Sequence, residues 1–105
     1  MTPHRRRSID FKRIREAALA SSESIVTRWL PNGRREGREW VAKNPRRADN
    51  SLGSFKINLR TGFWSDFKTG DRGGDLISLA AFLYDMKQDE AARNIADMLG
   101  IDAYE

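Results

Sequence analysis

The residues of this sequence best suited to bind a ligand are basic side chains and aromatic rings. Basic side chains cluster in HRRR (4–7), GRREGR (33–38) and KNPRR (43–47), and Trp40 and Trp64 lie among or shortly after them. Lys and Arg neutralise phosphates and aromatic rings stack on bases, so the combination is typical of proteins that bind a nucleic-acid backbone. On these residues alone, a solvated charged face with both tryptophans in the core is an equally good interpretation.

The cations are concentrated before residue 73. Residues 1–72 contain 17 Lys and Arg against 8 Asp and Glu, whereas residues 73–105 contain 2 against 7. A basic front half attracts polyanions. We therefore predict a nucleic-acid-binding surface made of the cations around the sheet and the two tryptophans: Arg34, Arg35, Arg38, Trp40, Lys43, Arg46, Arg47, Lys56, Arg60, Trp64, Lys68 and Arg72.

Other kinds of chemistry have little support. The chain has no cysteine and one histidine, His4, so we expect no disulfide, no metal and no cofactor. We find neither a Ser/His/Asp set nor a cluster of carboxylates that could hold two metals, and we expect no enzymatic activity. No apolar run approaches the roughly 20 residues of a membrane span, so we expect a cytoplasmic chain with no membrane partner.

The N-terminal half predicts one long helix and the strands that follow it. Asp10 is placed as an N-cap for a helix over 10–30, which the Ser21-Ser22 pair divides and Pro31 ends. SFKINLR (54–60) alternates apolar and polar residues, as a half-buried strand does. TG (61–62) then turns the chain into FWSDF (63–67), a second strand with its two phenylalanines on one side and Trp64 on the other. Trp64 is thus the best single candidate for stacking on a base.

The C-terminal half predicts two helices after a glycine-rich loop. Asp75 stands at the N-cap of LISLAAFLYD (76–85), and DEAARNIADML (89–99) ends at Gly100. The loop TGDRGGD (69–75) has the glycines of a phosphate cradle, but it lacks the Lys-Ser/Thr of a P-loop and contains two aspartates that repel anions. We favour the structural interpretation, a tight turn into a capped helix.

The segment from about Trp40 to Ile101 resembles the N-terminal zinc-ribbon domain of bacterial and phage DNA primases. The matching motifs are the SF-initiated strand, the TGFWSDF hairpin, the GGDLISL turn into an apolar helix, and DEAARNIADMLGI. The resemblance is to the degenerate, cysteine-free form at the N terminus of primase-helicase-like proteins of phages, plasmids and integrative elements. It implies a noncatalytic template-binding or regulatory module.

The resemblance also implies that a structural metal has been lost. The positions that hold zinc in relatives fall near Pro45, Ala48, Phe67 and Gly70, none of which can ligate zinc. We expect aromatic packing to replace the metal, with Phe63, Phe67, Trp40 and Trp64 as the substitutes, because each aromatic ring buries about 150–250 Å².

Together these patterns predict an α+β domain, in which a small antiparallel β-sheet, zinc-ribbon-like and metal-free, packs with an N-terminal helix and two C-terminal helices. Residues 1–9 are expected to form a flexible basic tail and residues 10–105 a single domain. The predicted partner is single-stranded DNA, or RNA, with replication proteins as further partners. The alternative is a protein-interaction or inhibitory module of a mobile element that docks on a host or replication protein.

Overall fold

A computed structural model describes residues 7–46 and 53–105 of the chain. These residues form an α+β domain with a five-stranded antiparallel sheet in the order β1-β2-β3-β4-β5 and four helices, two before the sheet and two after it. The predicted fold class is confirmed. The elements are α1 (Phe11–Ala20), α2 (Ser22–Trp29), β1 (Arg34–Glu36), β2 (Glu39–Ala42), β3 (Phe55–Asn58), β4 (Trp64–Asp66), β5 (Arg72–Gly73), α3 (Leu76–Tyr84) and α4 (Gln88–Leu99).

The predicted first helix is divided at the serine pair, as expected. The Asp10 carboxylate accepts from the backbone N–H of Arg13 at 3.0 Å and caps α1. α1 ends at Ser21, and the buried Ser22 hydroxyl donates to the backbone carbonyl of Leu59. The second serine therefore anchors the start of α2 to the turn between β3 and β4, which fixes a new helix direction.

The strand register assigns alternate residues to opposite faces of the sheet. Trp40, Ile57 and Trp64 lie opposite one another on β2, β3 and β4 and belong to the buried core together with helix residues. The ring of Phe82 in α3 lies with its centroid 4.9 Å from that of Trp64. The helices thus cover this face, called here the inner face, and the other face is the open face.

The two tryptophans of the inner face each lie over a glycine. The indole N–H of Trp40 donates to the Leu30 carbonyl at 3.0 Å. The indole N–H of Trp64 donates to the Ser78 hydroxyl at 2.9 Å. A Cβ atom at Gly33 would lie 2.3 Å from Nε1 of Trp40, and one at Gly73 would lie 2.4 Å from Nε1 of Trp64. These glycines leave the space that buries both rings.

The prediction that four aromatic rings replace the metal by packing is half wrong. Trp40 and Trp64 are buried, but Phe63 is 63% exposed and Phe67 is 71% exposed. The sequence correctly predicted the alternation of β4, since Trp64 lies on one side of the strand and the two phenylalanines lie on the other. The side that meets the core is the tryptophan side, because α3 supplies a hydrogen-bond acceptor there.

A buried polar contact joins the loop after β2 to the loop after β4. Asn44 donates its side-chain amide to the Asp66 carboxylate at 2.9 Å, and both residues are almost fully buried. The same carboxylate accepts from the backbone N–H of Lys68, while the side-chain oxygen of Asn44 accepts from the N–H of Arg46. Each side chain therefore organises its own loop as well as the contact. Of the four positions that the resemblance assigned to zinc ligands, Ala48 lies outside the described residues.

The described N-terminal residues run alongside the C-terminal segment. Ile9 forms an antiparallel bridge with Tyr104, and Arg7 forms an ion pair with Asp102 at 3.0 Å. Of the predicted tail 1–9, residues 1–6 lie outside the described part of the chain. Within that part, no helix has the length and apolar character needed to cross a membrane.

Candidate nucleic-acid interface

A row of side chains crosses the open face on all five strands. The register places Arg34 of β1 opposite Val41, Val41 opposite Lys56, Lys56 opposite Ser65, and Ser65 opposite Arg72. Residues directly opposite in an antiparallel pair share a face and lie about 5 Å apart. Three of the predicted cations, Arg34, Lys56 and Arg72, therefore share one surface.

Lys56, Ser65 and Arg72 of this row line a groove of about 700 Å³ on the open face, and Arg34 and Val41 are not among its lining residues. Within the described residues, neither Lys56 nor Arg72 has a carboxylate within ion-pair distance, whereas Arg34 pairs with Glu36 at 2.7 Å. The two cations in the groove are thus available to an anionic ligand. The lining residues are Glu39, Lys56, Asn58, Phe63, Trp64, Ser65, Arg72, Gly73 and Gly74.

An exposed aromatic ring lies in the same groove. Phe63 precedes β4, and the backbone N–H of Asn58 donates to its carbonyl at 2.7 Å, so its side chain shares the open face with that of Asn58. Its ring is in ordinary contact distance of Gly74, where a Cβ atom would lie 3.5 Å from Cε1 of Phe63. The ring is therefore supported by the backbone on one side and accessible to a ligand on another. Sequence reasoning assigned Phe63 to the core and missed its exposure in the groove.

The predicted stacking roles of the two tryptophans are corrected by the structure. Trp40 is 8% exposed and Trp64 is 5% exposed, and both indole N–H groups are used inside the protein. A ring covered on both faces by core side chains cannot stack on a base. Phe63 is the exposed aromatic residue that lines the groove, and Phe67 is a second exposed ring in the loop after β4.

A second group of predicted cations lies away from the groove. Arg35 is on the inner side of β1 and forms an ion pair with Glu23 of α2. Together with Arg38 and Arg60 it borders a separate cavity of about 330 Å³, which Glu23 also lines. Arg60 was predicted on the polar face of a strand, but β3 ends at Asn58 and Arg60 lies in the following turn. The described members of the predicted surface therefore do not all line one groove.

The remaining predicted cations are distributed around the sheet. Lys43 lines a small cavity beside the end of α2, and Arg46 has a guanidinium nitrogen 3.8 Å from the Asp85 carboxylate. Lys68 is exposed in the loop that Asp66 organises. Arg47 lies outside the described residues.

The glycine-rich loop before α3 is a structural turn. Asp75 accepts from the N–H of Ser78 at 2.8 Å and caps α3, as predicted, and the Ser78 hydroxyl donates back to the Asp75 carbonyl. A carboxylate at this helix end disfavours an anion there. The loop contributes to the groove through Arg72, whose strand partner is Ser65.

Metal ligands are not grouped in the described residues. Across residues 7–46 and 53–105, no three His, Asp or Glu side chains come together as a cation site requires. The buried Asp66 carboxylate accepts from the Asn44 amide.

The fold is similar to part of a DNA primase. A crystal structure of the zinc-binding and RNA polymerase domains of the Aquifex aeolicus primase matches 90% of this chain with a TM-score of 0.74 and 22% sequence identity. The match covers 22% of that chain, so the present sequence spans about a fifth of its length. No protein-family model and no curated protein matches the sequence. The similarity is one of fold, and the present sequence contains no cysteine.

Proposed function

We propose that this chain is a noncatalytic module that binds single-stranded DNA, or RNA, through the open face of its sheet. In this proposal it serves as the template-binding part of a primase or related replication protein of a phage, plasmid or integrative element. The fold similarity to part of a primase supports the context, and the groove supports the activity.

The observation that carries the proposal is the combination of Lys56, Arg72 and Phe63 in one groove. Ammonium and guanidinium groups attract phosphates, and an exposed ring offers a stacking platform for a base. A base stacked within a duplex presents no free face to Phe63, whereas an unpaired base does. The groove therefore suits a single strand better than a duplex, and binding should weaken steeply with salt.

The test is a fluorescence-anisotropy titration of labelled single-stranded and duplex DNA at two salt concentrations, with the natural sequence and with Lys56→Ala/Arg72→Ala. We expect the natural protein to prefer the single strand, and the double variant to bind more weakly with a smaller salt slope. The matched control is Lys12→Ala/Lys87→Ala, which removes the same charge from exposed positions on α1 and before α4. Equal losses in both double variants would show that net charge alone determines binding.

A protein-docking role is the second candidate, and an apolar groove between the helices supports it. Trp29, Tyr84, Met86 and Met98 line this groove of about 420 Å³, and Tyr84 is 52% exposed. Flexible methionines and exposed aromatic rings are common in surfaces that bind partner proteins. If docking is the function, Tyr84→Ala should abolish capture of a replication protein while Lys56→Ala/Arg72→Ala retains it.

A further inference from the structure

We propose that the open-face groove contains a subsite selective for guanine, formed by Glu39, Asn58 and Phe63. The inference rests on the proposed function, since it specifies which base the groove prefers within a bound strand. It starts from a feature that phosphate binding does not explain: a carboxylate, Glu39, lines the same groove as Lys56 and Arg72.

Glu39 is poorly suited to a groove that binds only phosphates. Its carboxylate repels phosphate oxygens, and no cation of the described residues lies within ion-pair distance of it. A carboxylate accepts hydrogen bonds and donates none when ionised. On a nucleic acid, its natural partners are therefore the N–H groups on the edge of a base.

Asn58 is oriented as a hydrogen-bond donor beside this carboxylate. Its side-chain oxygen accepts from the backbone N–H groups of Arg60 and Thr61, at 2.9 and 3.0 Å, so the turn after β3 fixes the amide. Its NH₂ group forms no hydrogen bond to any described residue and lies in a residue that lines the groove.

The two side chains are adjacent across the sheet. Glu39 and Asn58 are direct partners in the β2–β3 register, so they share the open face at a separation of about 5 Å. That spacing is comparable with the width of the hydrogen-bonding edge of one base. The groove thus presents a donor followed by a two-oxygen acceptor.

Guanine is the base whose Watson–Crick edge complements this order. Its O6 accepts from the Asn58 amide, and its N1–H and N2–H₂ groups donate to the two oxygens of Glu39. Adenine and cytosine each have one amino donor on this edge, and thymine places a carbonyl on either side of its single N–H. Each of these bases leaves one carboxylate oxygen without a donor. Phe63, beside Asn58 on the open face, supplies a ring for the base to stack on.

The test varies the base rather than the protein first. Short oligothymidylates carrying one central guanine, adenine, cytosine or inosine are titrated against the natural protein by competition anisotropy. We expect guanine to improve affinity about tenfold over an all-thymine strand. Inosine, which lacks the N2 amino group, should lose about fivefold relative to guanine, as expected for one hydrogen bond.

A pair of variants then assigns the preference to Glu39. Glu39→Gln should abolish the difference between guanine and inosine. Glu16→Gln is the matched control, because it removes the same charge from an exposed position on α1, away from the sheet, and it should raise affinity for all strands alike. Binding of every strand with equal affinity would overturn the guanine subsite and leave single-strand binding in place. Failure to bind any strand at low salt would overturn both.

Discussion

Asn44 donates a buried hydrogen bond to the Asp66 carboxylate at 2.9 Å, and through it the loop after β2 is joined to the loop after β4. The Asp66 side chain is fully buried and also accepts from the N–H of Lys68. A hydrogen-bonded pair of side chains thus connects the two loops without thiolate or imidazole ligands.

We predict that Asp66→Ala lowers the free energy of unfolding by about 2–3 kcal/mol, because it removes the acceptor of the buried Asn44 amide. Urea denaturation measures the change. Asp71→Ala is the control, since Asp71 is an exposed carboxylate in the same loop and its loss should have little effect. A chelator should leave the melting temperature of the natural protein unchanged, and a large decrease would reveal a metal contribution.

We predict that Gly73→Ala destabilises the fold by about 1–3 kcal/mol through overpacking. The added Cβ would lie 2.3 Å from the Ser78 hydroxyl oxygen and 2.4 Å from Nε1 of Trp64, so the hydrogen bond between them must move. Gly74→Ala is a stringent control, because the added Cβ atom would lie 3.5 Å from its nearest neighbour, Cε1 of Phe63, which is an ordinary van der Waals distance. Equal stability of the two variants in thermal denaturation would contradict the assigned packing of Trp64.

The secondary structure was largely predictable because its signals are local. Asp10 and Asp75 cap the helices at which sequence placed them, and Gly100 ends the last helix in a left-handed conformation with φ of 70°. β1 was missed because Arg34–Glu36 are all exposed and show no alternation. β1 is a strand because it pairs with β2, and the residues of β1 themselves show no pattern that predicts this pairing.

The site was less predictable because its decisive contacts are distant in sequence. Alternation in β4 separated Trp64 from Phe63 correctly, yet a strand with aromatic rings on both faces does not indicate which face is buried. That choice depends on Gly73 and Ser78, which become neighbours of Trp64 only when β5 and α3 are in place. Glu39 and Asn58 were similarly inconspicuous until the β2–β3 register made them partners.

We predict that Phe63→Ala weakens single-strand binding about tenfold, the loss expected for one stacking contact. Trp64→Phe should leave the affinity unchanged and reduce stability by about 1–2 kcal/mol, because it removes the hydrogen bond to Ser78 and part of a buried ring. Anisotropy and urea denaturation on both variants separate the two effects. A loss of affinity in Trp64→Phe alone would restore the original assignment of Trp64 as the stacking residue.

The contact between the chain ends predicts a local pH dependence. A hydrogen bond from the Tyr104 backbone, together with the Arg7 guanidinium, lowers the pKa of the Asp102 carboxyl below its ordinary value. A lowered folded-state pKa means that this carboxylate contributes stability at neutral pH and loses it as the pH falls through that pKa. An NMR titration should find the lowered pKa in the natural protein and a higher one in Arg7→Ala. The same pKa in both proteins would contradict the ion pair.

The most direct test of binding by the open face is an NMR titration of isotope-labelled protein with a short single-stranded oligonucleotide at low salt. Single-strand binding in the groove predicts the largest backbone shift changes at Lys56, Phe63, Ser65 and Arg72, with small changes in α1 and α4. Shift changes confined to the helices or to the groove at Trp29 and Tyr84 would contradict it, and so would unchanged spectra at saturating oligonucleotide.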